Sequence, residues 1–114
     1  MGLDNGIIIK ESTGAESSVC YWRKCWNIRS NIFDIIKPTT TEEVYEFPLS
    51  LDNIVDIYYM LKNLNEDNWF ENGNSIWSWQ EKRKGIKQDI KELKKLIKRM
   101  KKEENLKVFF FDSY

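Results

Sequence analysis

Apolar and polar positions alternate along this chain with two different periods, and these periods predict seven consecutive elements. Residues 6–10 are a short β-branched apolar run, which favours a buried strand. Residues 11–18 are rich in Ser, Thr and Gly and predict a loop whose last serines can cap a helix. The spacing over 21–36 predicts that helix, which Pro38 prevents from continuing. Its apolar stripe consists of Tyr21, Cys25, Ile28, Ile32 and Ile35.

A second strand and a second helix follow Pro38. Residues 44–47 predict a short strand that ends at Pro48. Ser50 is placed to cap a helix whose apolar positions recur as far as Leu64. The polar segment 65–68 then ends this helix.

The longest regular pattern predicts a helix from residue 75 to about residue 104. A short strand at 69–70 and a turn at 72–74 are predicted before it, and an aromatic strand at 106–111 after it. One position of its apolar seam is a cation, Arg83. The seam consists of Ile76, Trp79, Arg83, Ile86, Ile90, Leu93, Ile97 and Met100.

This order of elements predicts a single α+β domain over residues 1–114. We expect a small sheet of three or four strands packed on one face by three helices, of which the last is long. The first and last strands are expected to pair, which would hold both ends of the chain.

Composition excludes several classes of chemistry. The 114 residues include no His, which removes Ser-His and Cys-His nucleophile systems and His-ligated metal sites. Walker, Rossmann and nucleophile-elbow motifs are absent, so we expect neither an enzyme nor a bound cofactor. Cys20 and Cys25 are predicted to point in different directions from one helix, as unbridged core residues of a reducing cytosol. No apolar run reaches membrane-spanning length, so no membrane association is expected.

Two arginines lie at positions where an apolar side chain is expected. On a helical wheel Arg29 falls in the middle of the apolar arc of the first helix, with Trp22 and Trp26 on either side, and Arg83 lies in the seam. A guanidinium in an apolar environment needs a carboxylate, a ring face or an anionic ligand. Internal neutralisation is one hypothesis, with Asp4, Glu46 or Asp112 as candidate partners.

A binding pocket for a nucleotide-like anion is the other hypothesis. Arg side chains bind phosphate oxygens through two parallel hydrogen bonds, and aromatic rings stack on bases. In this pocket Trp22 would stack, the cations would hold phosphate, and Asn27 would select the ligand by hydrogen bonding. The predicted ligand-binding residues are Tyr21, Trp22, Arg23, Lys24, Asn27, Arg29 and Arg83.

The long helix also has a basic side, although the 18 Lys and Arg of the chain are balanced by 18 Asp and Glu. Residues 81–107 contain twelve cations and five acids. This side is either a solvated exterior or a contact surface for RNA, DNA or an acidic protein, with Lys91, Lys95 and Lys98 as candidate partner-binding residues. The seam itself allows a further alternative, a homo-oligomer that associates through the long helix.

Four short stretches give the chain a resemblance to a group of short phage and prophage proteins. These are Met-Gly-Leu-Asp at 1–4, Tyr-Trp-Arg-Lys at 21–24 followed by Asn27 and Ile28, Trp-Phe at 69–70 ahead of Ile-Trp at 76–77, and Phe-Phe-Phe at 109–111 with Ser-Tyr at 113–114. The chain departs from the group at Arg29, where His is common, and in its Asp-Ser-Tyr ending. The resemblance implies an accessory phage protein made in the bacterial cytoplasm.

Three functional hypotheses follow from the residues and the resemblance together. The first is a non-enzymatic counter-defence protein that sequesters a nucleotide-like signalling molecule. The second is an inhibitor of a host defence nuclease or CRISPR effector that acts through a protein–protein contact, made either by the basic long helix or by an acidic patch of the first half of the chain. The third is a self-assembling structural component of a phage.

Overall fold

The chain forms an α+β fold, as predicted, in a computed structural model that describes residues 4–38, 46–69, 78–103 and 105–113. Over these residues the structure has four strands and three helices. In chain order they are β1 (Asp4–Lys10), β2 (Glu16–Arg23), α1 (Trp26–Ile36), β3 (Glu46–Pro48), α2 (Leu51–Asn63), α3 (Trp79–Lys102) and β4 (Lys107–Ser113).

The four strands form one antiparallel sheet in the order β2-β1-β4-β3. The predicted pairing of the first and last strands is confirmed, since β1 and β4 are paired along their whole length. Gly6 of β1 lies opposite Tyr21 on one side and Phe111 on the other. A Cβ atom at Gly6 would lie 2.2 Å from the carbonyl oxygen of Cys20, so the local backbone geometry requires glycine.

The predicted loop at 11–18 is confirmed only for residues 11–15, and the predicted start of a helix at residue 21 is wrong, because residues 16–23 form β2. In this segment Cys20 and Trp22 are buried while Tyr21 and Arg23 are exposed, which is the period of two that a strand requires. Aromatic and β-branched side chains favour that conformation. Lys24, with a φ of 54°, then separates the strand from the helix, which begins at Trp26.

The two cysteines therefore lie on different elements, not on one helix. Cys20 belongs to β2 and Cys25 is the N-cap residue of α1. Both are buried free thiols, as expected of small core residues.

The two longer helices begin at serine caps. Ser50 caps α2 as predicted, in a capping box with Asn53, and Ser78 caps α3 in a second capping box with Glu81. The predicted start at residue 75, the turn at 72–74 and the seam position Ile76 lie outside the described residues. Trp69 is fully buried and lies in a turn, not in the strand predicted at 69–70, whose second residue is outside the described part of the chain.

The seam of α3 is buried inside the chain, where it packs on α2 and β2. Ile86 and Leu93 are buried, and the non-seam residue Leu96 joins them, whereas the seam residue Arg83 is exposed. Because the seam forms part of the intramolecular core, the observation that suggested a helical homo-oligomer has another explanation. Among the described helices, none has the length and apolar character required to cross a bilayer.

Candidate binding surfaces

Arg29 is neutralised within the chain by Asp112, one of the three partners predicted for it. Its Nε donates to both carboxylate oxygens of Asp112, at 2.9 and 3.0 Å. The guanidinium also lies over the rings of Phe33 and Trp26, with centroid distances of 4.5 and 5.5 Å. Asp112 is only 2% exposed, so the pair is a structural link between α1 and β4.

Arg83 is exposed on α3, so the expectation that both guanidinium groups point into one interior is wrong. Position 83 lies at the margin of the apolar seam, about 90° around the helix from the buried direction that Ile86, Leu93 and Leu96 define. The predicted pocket between Arg29 and Arg83 therefore loses its second cation.

Three of the remaining predicted ligand-binding residues lie on β2, and they are divided between the two faces of the sheet. Tyr21 and Arg23 are exposed on the face of the sheet on which none of the described helices packs, which we call the open face. Trp22 points the other way, is 4% exposed, and donates from Nε1 to Asp89 Oδ2 at 2.8 Å. The helical wheel placed Tyr21 and Trp22 on the same side, which is wrong because successive side chains of a strand point to opposite faces.

Asn27 and Lys24 lie at the connection between β2 and α1. Asn27 is 1% exposed, donates from Nδ2 to the carbonyl of Trp69, and accepts from the backbone N–H of Ile28 at 3.0 Å. Its side chain is thus occupied in joining α1 to the turn after α2. Lys24 is half-buried at a left-handed backbone position.

Asp89 is a half-buried acid that sequence reasoning missed. It lies on α3 between Ile86 and Leu93, facing Cys20 and Trp22 of β2. Burial raises the pKa of Asp89 from its ordinary value of 3.8 to about 6, and the Trp22 hydrogen bond opposes this rise. Asp89 lies three residues after Ile86 and four before Leu93, and this spacing places it on the buried side of the helix. The sequence therefore contained the signal that identifies this acid.

The thiols next to Asp89 are not activated as nucleophiles. Burial, reinforced by Asp89, raises the pKa of Cys20 far above its ordinary value, and burial also raises the pKa of Cys25. Both thiols are therefore protonated at neutral pH. Within the described part of the chain, no group of three or more His, Cys, Asp or Glu side chains is arranged to hold a metal ion.

The open face of the sheet carries an aromatic surface. The rings of Tyr21 and Phe111 are stacked across Gly6, with centroids 6.4 Å apart, and Tyr21 is 56% exposed. The Tyr21 hydroxyl donates to Asp4 at 2.7 Å. Phe109 is half-buried on the same face, with Lys10 Nζ 5.0 Å from its ring centroid.

A cleft of about 700 Å³ continues this face at the β1–β2 turn, with Lys10, Glu16, Lys107 and Phe109 among its lining residues. Its volume is within the usual range of small-molecule sites. Lys10, however, is paired with Glu46 at 2.5 Å and with Glu16 at 3.6 Å. Two cations, Lys10 and Lys107, and two acids, Glu11 and Glu16, line the cleft, so its charges balance and give it no preference for an anion.

The outer side of α3 is uniformly basic. At about 100° per residue, ten positions of this helix fall within a sector of about 120°, and the side chains there are nine Lys or Arg and Gln80. All nine cations are exposed, including the predicted partner-binding residues Lys91, Lys95 and Lys98. We call this set the basic stripe; its members are Arg83, Lys84, Lys87, Lys91, Lys94, Lys95, Lys98, Lys101 and Lys102.

The acids of α3 lie outside the basic stripe and make contacts of their own. The side chain of Glu81 accepts from the backbone N–H of Ser78 at 2.7 Å, and Asp89 faces the core. Glu92 accepts from Gln88 at 3.0 Å and lies 3.5 Å from Lys95. The eleven cations and three acids of α3 leave an excess of eight positive charges, which the rest of this formally neutral chain balances. Neutral composition therefore conceals a strong separation of charge.

Comparisons with models of known protein families, with curated protein sequences and with solved structures give no match.

Proposed function

We propose that this protein is a non-enzymatic binding protein that contacts an acidic macromolecular surface through the basic stripe. One observation carries the proposal: nine exposed cations cover the solvent side of α3 without an intervening acid. Such a surface produces a positive potential that attracts and orients an anionic partner.

A helix whose outer side only contacts water does not need nine cations without acids between them. The basic stripe contains five pairs of cations at i,i+4 and four at i,i+3. Each like-charge pair at this spacing costs about 0.2–0.5 kcal/mol of helix stability, or about 2–4 kcal/mol together before screening by salt. Alternating acids would remove this cost and keep the helix soluble, so the repulsion favours a role in binding.

The resemblance to short phage proteins supports a partner from the bacterial host cell. The hypothesis of a protein that inhibits a defence nuclease or CRISPR effector allowed either the basic long helix or an acidic patch of the first half of the chain as the contact. With the long helix as the contact, it is consistent with the proposal. The resemblance is the argument that the partner comes from the host cell. The basic stripe is the argument that the surface of this partner is acidic.

Charge reversal tests the proposal. The triple variant Lys91→Glu, Lys95→Glu, Lys98→Glu is compared with Lys37→Glu, Lys62→Glu, Lys107→Glu, which changes three exposed lysines outside α3. Binding to poly-L-glutamate and to heparin is measured by fluorescence anisotropy at about 50 mM salt, where surface charges are weakly screened. We expect binding by the wild type and the control variant and its loss in the α3 variant. If the wild type binds no polyanion, or if both variants bind alike, the proposal is wrong.

A second candidate function is binding of a nucleotide-like ligand at the open face. It is favoured by the stacked and exposed rings of Tyr21 and Phe111, because aromatic side chains stack on bases. A panel of nucleotides should then raise the melting temperature, and Tyr21→Ala should abolish the shift. Tyr59→Ala on α2 is the matched control, since Tyr59 is similarly exposed at 55%. No shift with any nucleotide contradicts this second function.

A further inference from the structure

We infer that the acidic partner of the basic stripe is the phosphate backbone of duplex DNA, with α3 lying along the major groove. The inference rests on the proposed function, because it names the class of partner for the same surface.

The composition of the basic stripe disfavours a protein partner. Eight of its nine cations are lysine, and the sector contains no apolar or aromatic side chain. Protein interfaces are depleted in Lys and depend on buried aromatic or Arg anchors near their centre. Among the described residues, the large apolar side chains that are exposed, Tyr21, Trp26 and Tyr59, lie on other elements. Phosphates need no such anchor, because neutralising them and releasing their counterions supplies the affinity.

The dimensions of α3 fit a duplex groove. From Arg83 to Lys102 the basic stripe spans about 28 Å, close to one turn of B-form DNA of about 34 Å. A helix about 10–12 Å wide with its side chains fits a major groove about 12 Å wide. Because the cations spread over about 120° of the helix surface, those at the two margins point toward the phosphates of opposite strands.

The separation of charge restricts binding to one side of the molecule. Outside α3 the described chain is acidic, with exposed carboxylates at Asp34, Asp52 and Asp56 on the other two helices. A polyanion repels these surfaces while it attracts the basic stripe. The neutral total charge of the chain is therefore compatible with nucleic-acid binding, provided that a single face makes the contact.

Most of the contacts would carry no sequence information. Lysine binds phosphate as a point charge, and within the sector only Arg83 and Gln80 can form two parallel hydrogen bonds with a base edge. We expect sequence-tolerant binding with a steep salt dependence. If five phosphates are neutralised, the slope of log K against log salt is about −4.5, and affinity falls about 500-fold between 50 and 200 mM salt.

Fluorescence anisotropy with a labelled 20-bp DNA duplex (about two helical turns) tests the inference. The same salt series is measured with a single strand of the same sequence, with duplex RNA and with poly-L-glutamate. We expect duplex DNA to bind most tightly, because the major groove of A-form RNA is too narrow for a helix. The variant Lys91→Glu, Lys95→Glu, Lys98→Glu should lose at least tenfold in affinity for the duplex, since about three phosphate contacts are removed. The variant Lys37→Glu, Lys62→Glu, Lys107→Glu should retain it, and circular dichroism checks that both fold.

The possible results separate this inference from the proposed function. If poly-L-glutamate binds through the basic stripe and duplex DNA does not, the DNA inference is overturned while the proposed function stands. Binding of RNA or single-stranded DNA at least as tight as that of duplex DNA overturns the groove geometry. If no polyanion binds, the inference and the proposed function fail together.

Discussion

Asp89 on α3 and Trp22 on β2 are joined by a hydrogen bond of 2.8 Å between the carboxylate Oδ2 and the indole Nε1. The bond connects the helix that carries the basic stripe to an edge strand of the sheet. It places a carboxylate in a half-buried site, where the ionised form is disfavoured. The link that positions α3 is therefore sensitive to pH.

The first prediction concerns the pH dependence of stability. Because the pKa of Asp89 is about 6 in the folded chain and 3.8 ordinarily, the folded state binds more protons between these values. The contribution of Asp89 to the free energy of unfolding is therefore largest below about pH 4 and falls as pH rises through 6, by about 3 kcal/mol. Asp89→Asn keeps an acceptor for Trp22 and should remove this dependence, raising stability at pH 7 by about 1–2 kcal/mol.

Urea unfolding of wild type and Asp89→Asn at several pH values between 4 and 8 measures the effect. Asp56→Asn is the control, because it makes the same chemical change at an exposed acid of α2. If the difference between wild type and Asp89→Asn does not change with pH, the assignment of the titration to Asp89 is wrong.

The second prediction concerns the ion pair of Arg29 and Asp112. Arg29→Met should lower the free energy of unfolding by about 3 kcal/mol or more, because it leaves the buried carboxylate of Asp112 without its guanidinium. Adding Asp112→Asn should recover part of the loss, since the stranded charge is removed. Chemical denaturation of the two single variants and the double variant gives the coupling energy. Near-normal stability of Arg29→Met would contradict a structural role for the pair.

Where one periodicity dominated, the sequence predicted the structure correctly. The β-branched run of β1, the Ser50 cap of α2 and the seam of α3 were each recognised, because local propensity and burial favour the same element there. The segment 16–23 was misassigned because Tyr21 and Cys25 match helical spacing by chance, although Cys20 and Trp22 also fit the period of two that a strand requires.

The partners of charged side chains were harder to predict than the elements. Arg29 was recognised as anomalous and Asp112 was among its candidates, but the pair depends on the packing of α1 against β4. For Arg83 the prediction of burial was wrong, and the side chain is exposed. A seam position is buried only where another element packs against that turn of the helix. The sequence already showed that α3 has a basic side. That no acid of α3 lies within this side became clear only from the positions of Glu81, Asp89 and Glu92 around the helix.

The third prediction compares two glycines. At Gly6 a Cβ would lie 2.2 Å from the carbonyl oxygen of Cys20 and 2.8 Å from a ring carbon of Phe111. Gly6→Ala should therefore lower stability by about 2–3 kcal/mol, because both β1 neighbours must move. At Gly85 a Cβ meets nothing within 4 Å, so Gly85→Ala should raise stability by about 1 kcal/mol through helix propensity. Thermal and urea unfolding of the two variants measure whether their free energies of unfolding change in opposite directions. A loss of stability in Gly85→Ala would contradict the exposed position of Gly85.

The last prediction compares two buried asparagines. Asn5 is fully buried between Trp22 and Asp112 in the register of the sheet, and among the described residues neither atom of its amide has a hydrogen-bond partner. Asn27 is equally buried, but its amide joins the carbonyl of Trp69 to α1. Asn5→Val removes an uncompensated polar group from a strand and should raise the free energy of unfolding by about 1–2 kcal/mol. Asn27→Val leaves the Trp69 carbonyl without this donor and should lower it by about 1–3 kcal/mol. Urea denaturation of both variants measures the difference, and a loss of stability in Asn5→Val comparable to that in Asn27→Val shows that the Asn5 amide is paired in solution.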